Sequence, residues 1–208
     1  MNNVAQFGWK DATPTYSQSY LEPAILRILR YRECKSILDL GCGNGALVKR
    51  LSDRGFQPVG CEPDVEGAAI ARRSLGGIPI YNIGVGDRTA EIKEKPFDAV
   101  ISTEVIEHLY DPKELFGFAS GVLKHDGTLI VSTPYHGYFK NLVLSATNMW
   151  DFHHHPQRTG GHIKFWSRKT LEDMFCQNGY EVVSFLGAGR LPWLWKSMIV
   201  VGKRRLRG

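Results

Sequence analysis

The sequence predicts an α/β domain in which a parallel sheet carries helices on both faces, and three observations point to it. Strand-like and helix-like segments alternate along the chain, which is the pattern of successive βαβ units. The first strand-like run ends in a carboxylate and three closely spaced glycines, Asp39-Leu40-Gly41-Cys42-Gly43-Asn44-Gly45. The chain has 208 residues, 43% of them hydrophobic, enough for one sizeable core and little else.

Each element has its own signal. Phe7, Trp9, Tyr16 and Tyr20 precede an apolar helix over residues 21–29, and residues 1–33 are expected to form a helical cap over the ligand end of the sheet. The first strand begins at Ser36-Ile37-Leu38. Leu47, Val48 and Leu51 fall at helical spacing in residues 46–54, which stop at Gly55. A second strand follows over 58–61, and a helix over 65–75 ends at Gly76-Gly77. The third strand is expected over 78–83, the fourth over 97–102, a helix over 113–123 and the fifth strand over 128–133. Residues 135–166 form a long aromatic insertion with the character of a lid. Within it, Leu142, Val143, Leu144 and Met149 are expected to pack a helical hairpin on the core, while His153, His154 and His155 are too close in sequence to face one metal from regular structure. Ser167 caps a helix that runs to Asn178 and ends at Gly179, and strands over 181–186 and 198–201 bring the count to seven. No repeat or low-complexity linker interrupts this order, so residues 1–208 are read as a single domain.

Composition narrows the function classes. Net charge is +5, but much of it lies in Lys203-Arg204-Arg205 and Arg207. We read that basic tail as a solvated end, which argues against a nucleic-acid partner and allows at most peripheral membrane contact. Cys34, Cys42, Cys61 and Cys176 show no C-x-x-C spacing, as expected of a reducing compartment without structural zinc. There is no signal-peptide-like opening and no apolar run of 18 residues, so a cytoplasmic location is expected.

The glycine loop carries the most chemistry. Three glycines at alternate positions let the backbone turn sharply against a nucleoside where any side chain would collide. Dinucleotide sites favour G-x-G-x-x-G with a pyrophosphate on the next helix. Here the third glycine comes one residue early, and Asp39 suits a cationic ligand group better than a pyrophosphate. Seventeen residues beyond Gly45, the second strand delivers Glu62, a carboxylate able to accept both hydroxyls of a ribose. A bare turn and a nicotinamide or flavin site are the alternatives. The second informative stretch runs from Phe97 through Thr103-Glu104-Val105-Ile106-Glu107-His108. If the backbone turns helical there, Glu104, Glu107 and His108 share one face at the carboxyl end of the fourth strand.

Glycine loop, partner acid and the phrase F-D-x-V-x-x-x-E-V-I-E-H-L together resemble the class I S-adenosylmethionine-dependent methyltransferases. Within them the phrase is most similar to the ubiquinone-biosynthesis O-methyltransferases, with Asp111-Pro112 extending the likeness over most of residues 36–133. It is less similar to the small-RNA 3′-terminal 2′-O-methyltransferases. The resemblance implies a Rossmann-like, seven-stranded, mostly parallel sheet whose last strand inserts antiparallel beside the fifth. It implies S-adenosylmethionine, with Asp39, Gly41, Gly43, Gly45, Glu62 and Thr103 around it; Gly41 falls on the methionine and ribose side, Glu62 on the ribose hydroxyls. It also implies a divalent metal (magnesium, manganese or zinc) on Glu104, Glu107 and His108, to which a looser match adds His162 from Gly160-Gly161-His162. Three readings of Glu104, Glu107 and His108 stay open: metal ligands, a metal-free catalytic group with His108 as base, or the start of a surface helix. The expected activity is O-methylation of a small or lipid-like acceptor. Transfer to nitrogen or carbon, a nicotinamide-dependent oxidoreductase and a non-catalytic adenosyl-binding protein are the alternatives, and the sequence does not set the oligomeric state. Leu191-Pro192-Trp193-Leu194-Trp195 is expected to pack on the core or line the acceptor pocket.

Overall fold

The computed structural model describes residues 8–154, 157 and 160–205; Phe7, His155 and Arg207 lie outside them. Seven strands form one sheet: β1 (Ser36–Leu40), β2 (Gln57–Cys61), β3 (Ile80–Tyr81), β4 (Phe97–Thr103), β5 (Leu123–Pro134), β6 (Tyr180–Ala188) and β7 (Ser197–Arg204). Their order across the sheet is β3-β2-β1-β4-β5-β7-β6. Pairs from β3 to β5 are parallel, and β7 runs antiparallel between β5 and β6. This is the expected seven-stranded, mostly parallel sheet.

Strand pleating sorts the apolar side chains to two faces. On one face Ile37 and Ile101 meet Leu21 and Leu29 of α1 (Tyr16–Tyr31) and Leu47 and Leu51 of α2 (Ala46–Asp53). On the other, Leu38 and Val100 meet further helices across the sheet. Those are α4 (Lys113–Val122), through Leu115 and Phe116, and α7 (Arg168–Gln177), through Leu171 and Phe175. Between β2 and β3, α3 (Val65–Leu75) starts at Asp64, whose side chain accepts from the Glu66 and Gly67 amides. It packs Ala68 and Ala71 on Val48 and Cys42. Among the described residues no helix is long and apolar enough to cross a membrane.

The expectations need correction at three places. The third strand is two residues long rather than six, because only Gly60 and Cys61 of β2 offer it partners. The insertion forms α5 (Tyr138–Ala146) and α6 (Trp150–His154), but the face expected on the core is exposed at Leu142, Val143 and Met149. The buried residue of α5 is Lys140 instead. In the 191–195 segment Trp195 packs against Tyr135 and Phe185, whereas Leu191 and Trp193 stand in solvent.

Candidate functional site

Strand order puts β1 beside β4, with β2 and β5 leading away in opposite directions, and the crevice at such a switch point is where open α/β sheets bind ligands. Beyond β1, Gly41, Gly43 and Gly45 all have φ between +55° and +84°, the left-handed region that glycine enters without strain. Space is short as well: a Cβ on Gly43 would lie 2.5 Å from the Trp9 ring, and one on Gly45 would lie 2.7 Å from Leu75. Glu62 sits buried under this loop, accepting from the Gly43 amide at 2.7 Å and the Asp64 amide at 2.9 Å. Burial pushes its carboxyl up to about 6, against the pull of those two amides. Asp39 is buried beside it and is pushed up to about 7, by burial first and then by the charge of Glu62. Its Oδ1 is buried with no hydrogen-bond partner among the described residues. An orphaned carboxylate oxygen at this depth fits an N–H donor or a cation from a ligand. Asn44 holds the N-terminal segment across the loop, donating to the Asp11 and Thr13 carbonyls at 2.8 Å each.

At the end of β4, Thr103 is half-buried and Glu104 departs from the expected helix. The Glu104 amide still bonds to the Ser132 carbonyl of β5, and its φ of 54° then swings Val105 beneath Gly41. Only Ile106–His108 coil, as a single 3-10 turn. Glu104, Glu107 and His108 therefore do not share one helical face. Glu104 is hydrogen-bonded by Ser132 Oγ at 2.9 Å and Ser197 Oγ at 3.1 Å. Glu107 accepts from Thr133 Oγ1 at 2.9 Å, while its Oε1 is buried without a hydrogen bond among the described residues, 3.9 Å from His108 Nε2 and 4.0 Å from His162 Nε2. Ligand atoms of Glu107, His108 and His162 all lie within 4.8 Å of one another. His162 arrives there because the chain turns at Gly160, with φ 74°, and the Ile163 and Lys164 amides then bond to the Glu107 carbonyl. Burial raises both acids: Glu104 to about 7, and Glu107 well above its ordinary range with the charge of Glu104 added.

Beside this cluster opens a cavity of about 380 Å³, with Tyr20, Glu104, Lys140, His153, His162 and Lys196 in its wall. Val143, Leu144 and Leu194 give it an apolar side. His154 stacks on Trp150 and His136.

The family model of a methyltransferase domain matches residues 15–185. The chain belongs to this methyltransferase family. The mitochondrial ubiquinone biosynthesis O-methyltransferase of Bos taurus is 27% identical over 181 residues, covering 76% of this chain and 46% of that protein. The ubiquinone biosynthesis O-methyltransferase of Chromobacterium violaceum is 29% identical over 162 residues, covering 76% of this chain and 69% of that one. The chain thus spans about half the length of the mammalian relatives it matches. In fold it is similar to an S-adenosylmethionine-dependent methyltransferase from Clostridium acetobutylicum, with TM-score 0.69, 14% identity, and 93% and 94% of the two chains covered. In this methyltransferase domain, sequence reasoning missed Ser132, Thr133 and Ser197, the hydroxyls that hold the two acids, and Lys140 in the cavity. A signal existed for the last: Lys140 interrupts the apolar run Tyr138-Phe139-Lys140-Asn141-Leu142 on its buried side.

Proposed function

We propose that this single domain transfers a methyl group from S-adenosylmethionine to an oxygen of a small or lipid-like acceptor. The observation that carries the reading is the packing of Val105 on Gly41, which makes the glycine loop and the Glu104–His108 segment immediate neighbours at the carboxyl ends of β1 and β4. When bound, S-adenosylmethionine supplies an electrophilic methyl with its leaving group already built in, so the chain has to align the acceptor and take a proton. Glycines 41, 43 and 45 allow close approach of the backbone, Glu62 addresses the ribose, Asp39 faces the cationic side and the Thr103 backbone borders the cofactor. Two imidazoles and a carboxylate suit zinc or manganese better than magnesium, with Glu104 next to them as a further oxygen donor. A divalent ion there would lower the pKa of the acceptor hydroxyl. His108 Nδ1 faces the Gly161 carbonyl at 3.2 Å; with the proton on Nδ1, Nε2 is left as the lone pair for an ion or, without one, for the acceptor proton. The four cysteines are free thiols, which supports a reducing compartment such as the cytoplasm.

Purified protein, methyl-labelled S-adenosylmethionine and a fractionated lysate test the reading. Label should enter an oxygen of one fraction, and calorimetry should show binding of S-adenosylhomocysteine but not of NAD. EDTA should abolish transfer, manganese or zinc should restore it, and His162→Ala should reproduce the chelated state with cofactor binding intact. Full turnover of His162→Ala in EDTA would leave His108 as a metal-free base.

A further inference from the structure

The cavity beside Glu104 is made positive by its own wall. Lys140 is 6% exposed, yet among the described residues its Nζ has a single hydrogen bond, 3.3 Å to the Lys196 carbonyl. Lys196 reaches the Tyr16 hydroxyl and lies 4.0 Å from the Tyr16 ring centre. Arg190 lines the same cavity, and its charge adds to burial in pulling the Lys140 ammonium down to about 8. Among the described residues no carboxylate forms an ion pair with Lys140, Arg190 or Lys196. The nearby acid, Glu104, offsets part of that pull from a distance, while its two oxygens accept from Ser132 and Ser197. A buried ammonium with no carboxylate in ion-pair contact is costly, and a fold keeps one where something outside the chain offsets the cost.

We propose that Lys140, flanked by Lys196 and Arg190, is an anion subsite, so that the molecule methylated carries a carboxylate or a phosphate in addition to its hydroxyl. The inference rests on the O-methyl-transfer reading and narrows its substrate class. Within the one cavity the hydroxyl would lie toward His162 and Glu104, the anion toward Lys140, and an apolar body against Val143, Leu144 and Leu194. Lys140 is then a specificity-determining residue: it rewards one end of the acceptor and takes no part in methyl transfer.

Fluorine NMR on the full chain loaded with S-adenosylhomocysteine reads this directly, with 4-fluorobenzoate, 4-fluorophenyl phosphate and 4-fluorobenzamide as probes. At least one anion should bind about tenfold or more tightly than the neutral amide, as charge-assisted hydrogen bonds in a desolvated site require, and the benzoate-to-phosphate ratio tells which group the site takes. Lys140→Met should cost the favoured anion about fivefold or more and leave the amide within twofold. Should Lys140→Met lack a cooperative melt, Arg190→Gln, on an exposed residue, should still lower the preference two- to threefold. Equal binding of anions and amide, or a preference that survives substitution at both Lys140 and Arg190, overturns the subsite. Calorimetry with S-adenosylhomocysteine is a separate readout: its failure strikes the methyltransferase reading, and the anion preference is then measured on the ligand-free chain.

Discussion

Glu62 joins two backbone segments, one oxygen on the glycine loop and the other on the cap of α3. Glu62→Ala should therefore weaken S-adenosylhomocysteine binding at least about tenfold, since charge-assisted hydrogen bonds to a ribose are worth about 1.5–3 kcal/mol each; unchanged calorimetric affinity would sink the ribose assignment. Asp39 gives a second prediction. Its carboxyl is held near 7 by burial and by Glu62, and Glu62 itself near 6, against ordinary values of 3.8 and 4.5. Between those limits the folded chain keeps protons that the unfolded chain has released, so this contribution to stability is full below about pH 4 and is lost as pH rises towards 7. The ligand-free melting temperature should fall across that window, and Asp39→Asn should flatten the fall. Both acids were legible in the sequence, because the spacing from a glycine loop to the next strand end is set by one βαβ unit. Lys140 stood out only as an interruption of an apolar run, and that signal does not say that the polar member of the helix faces a cavity rather than water.

Among elements, the segment after β4 shows why a spacing argument can find residues and misplace them. Positions 104, 107 and 108 suit one helical face, but the Glu104 amide is engaged by Ser132 of β5, a partner 28 positions away. That tertiary bond holds the backbone out of the helix, and His162 takes the place beside Glu107 that Glu104 was expected to fill. α7 and β7 fit more tightly than either sequence implies. A Cβ on Gly202 would meet the Phe175 ring at 2.4 Å. Gly202→Ala should thus lower stability by about 1–3 kcal/mol, the usual penalty for overpacking a filled core, read as a shifted denaturant midpoint with an unchanged slope. Full stability would mean that Phe175 moves aside at no cost.

For the whole molecule, alternation of strand and helix patterns revealed the α/β class and the strand count, because parallel strands buried on both faces read as short apolar runs. The place of β7 came only with the family resemblance. No residue in Ser197–Arg204 says that it will enter the sheet between β5 and β6. That place has a consequence during synthesis. Thr128–Pro134 of β5 pairs with Ser197–Lys203, so one edge of β5 stays open until β7 has left the ribosome. At about 5–20 residues per second, the intervening stretch takes several seconds to make. Throughout that time the nascent chain presents an apolar strand edge to neighbouring chains, the condition under which strands pair wrongly and aggregate. Ribosome-stalled chains should record the change: with residues up to 190 outside the exit tunnel, β5 should be cut readily by protease, and with residues up to 205 outside it should be protected.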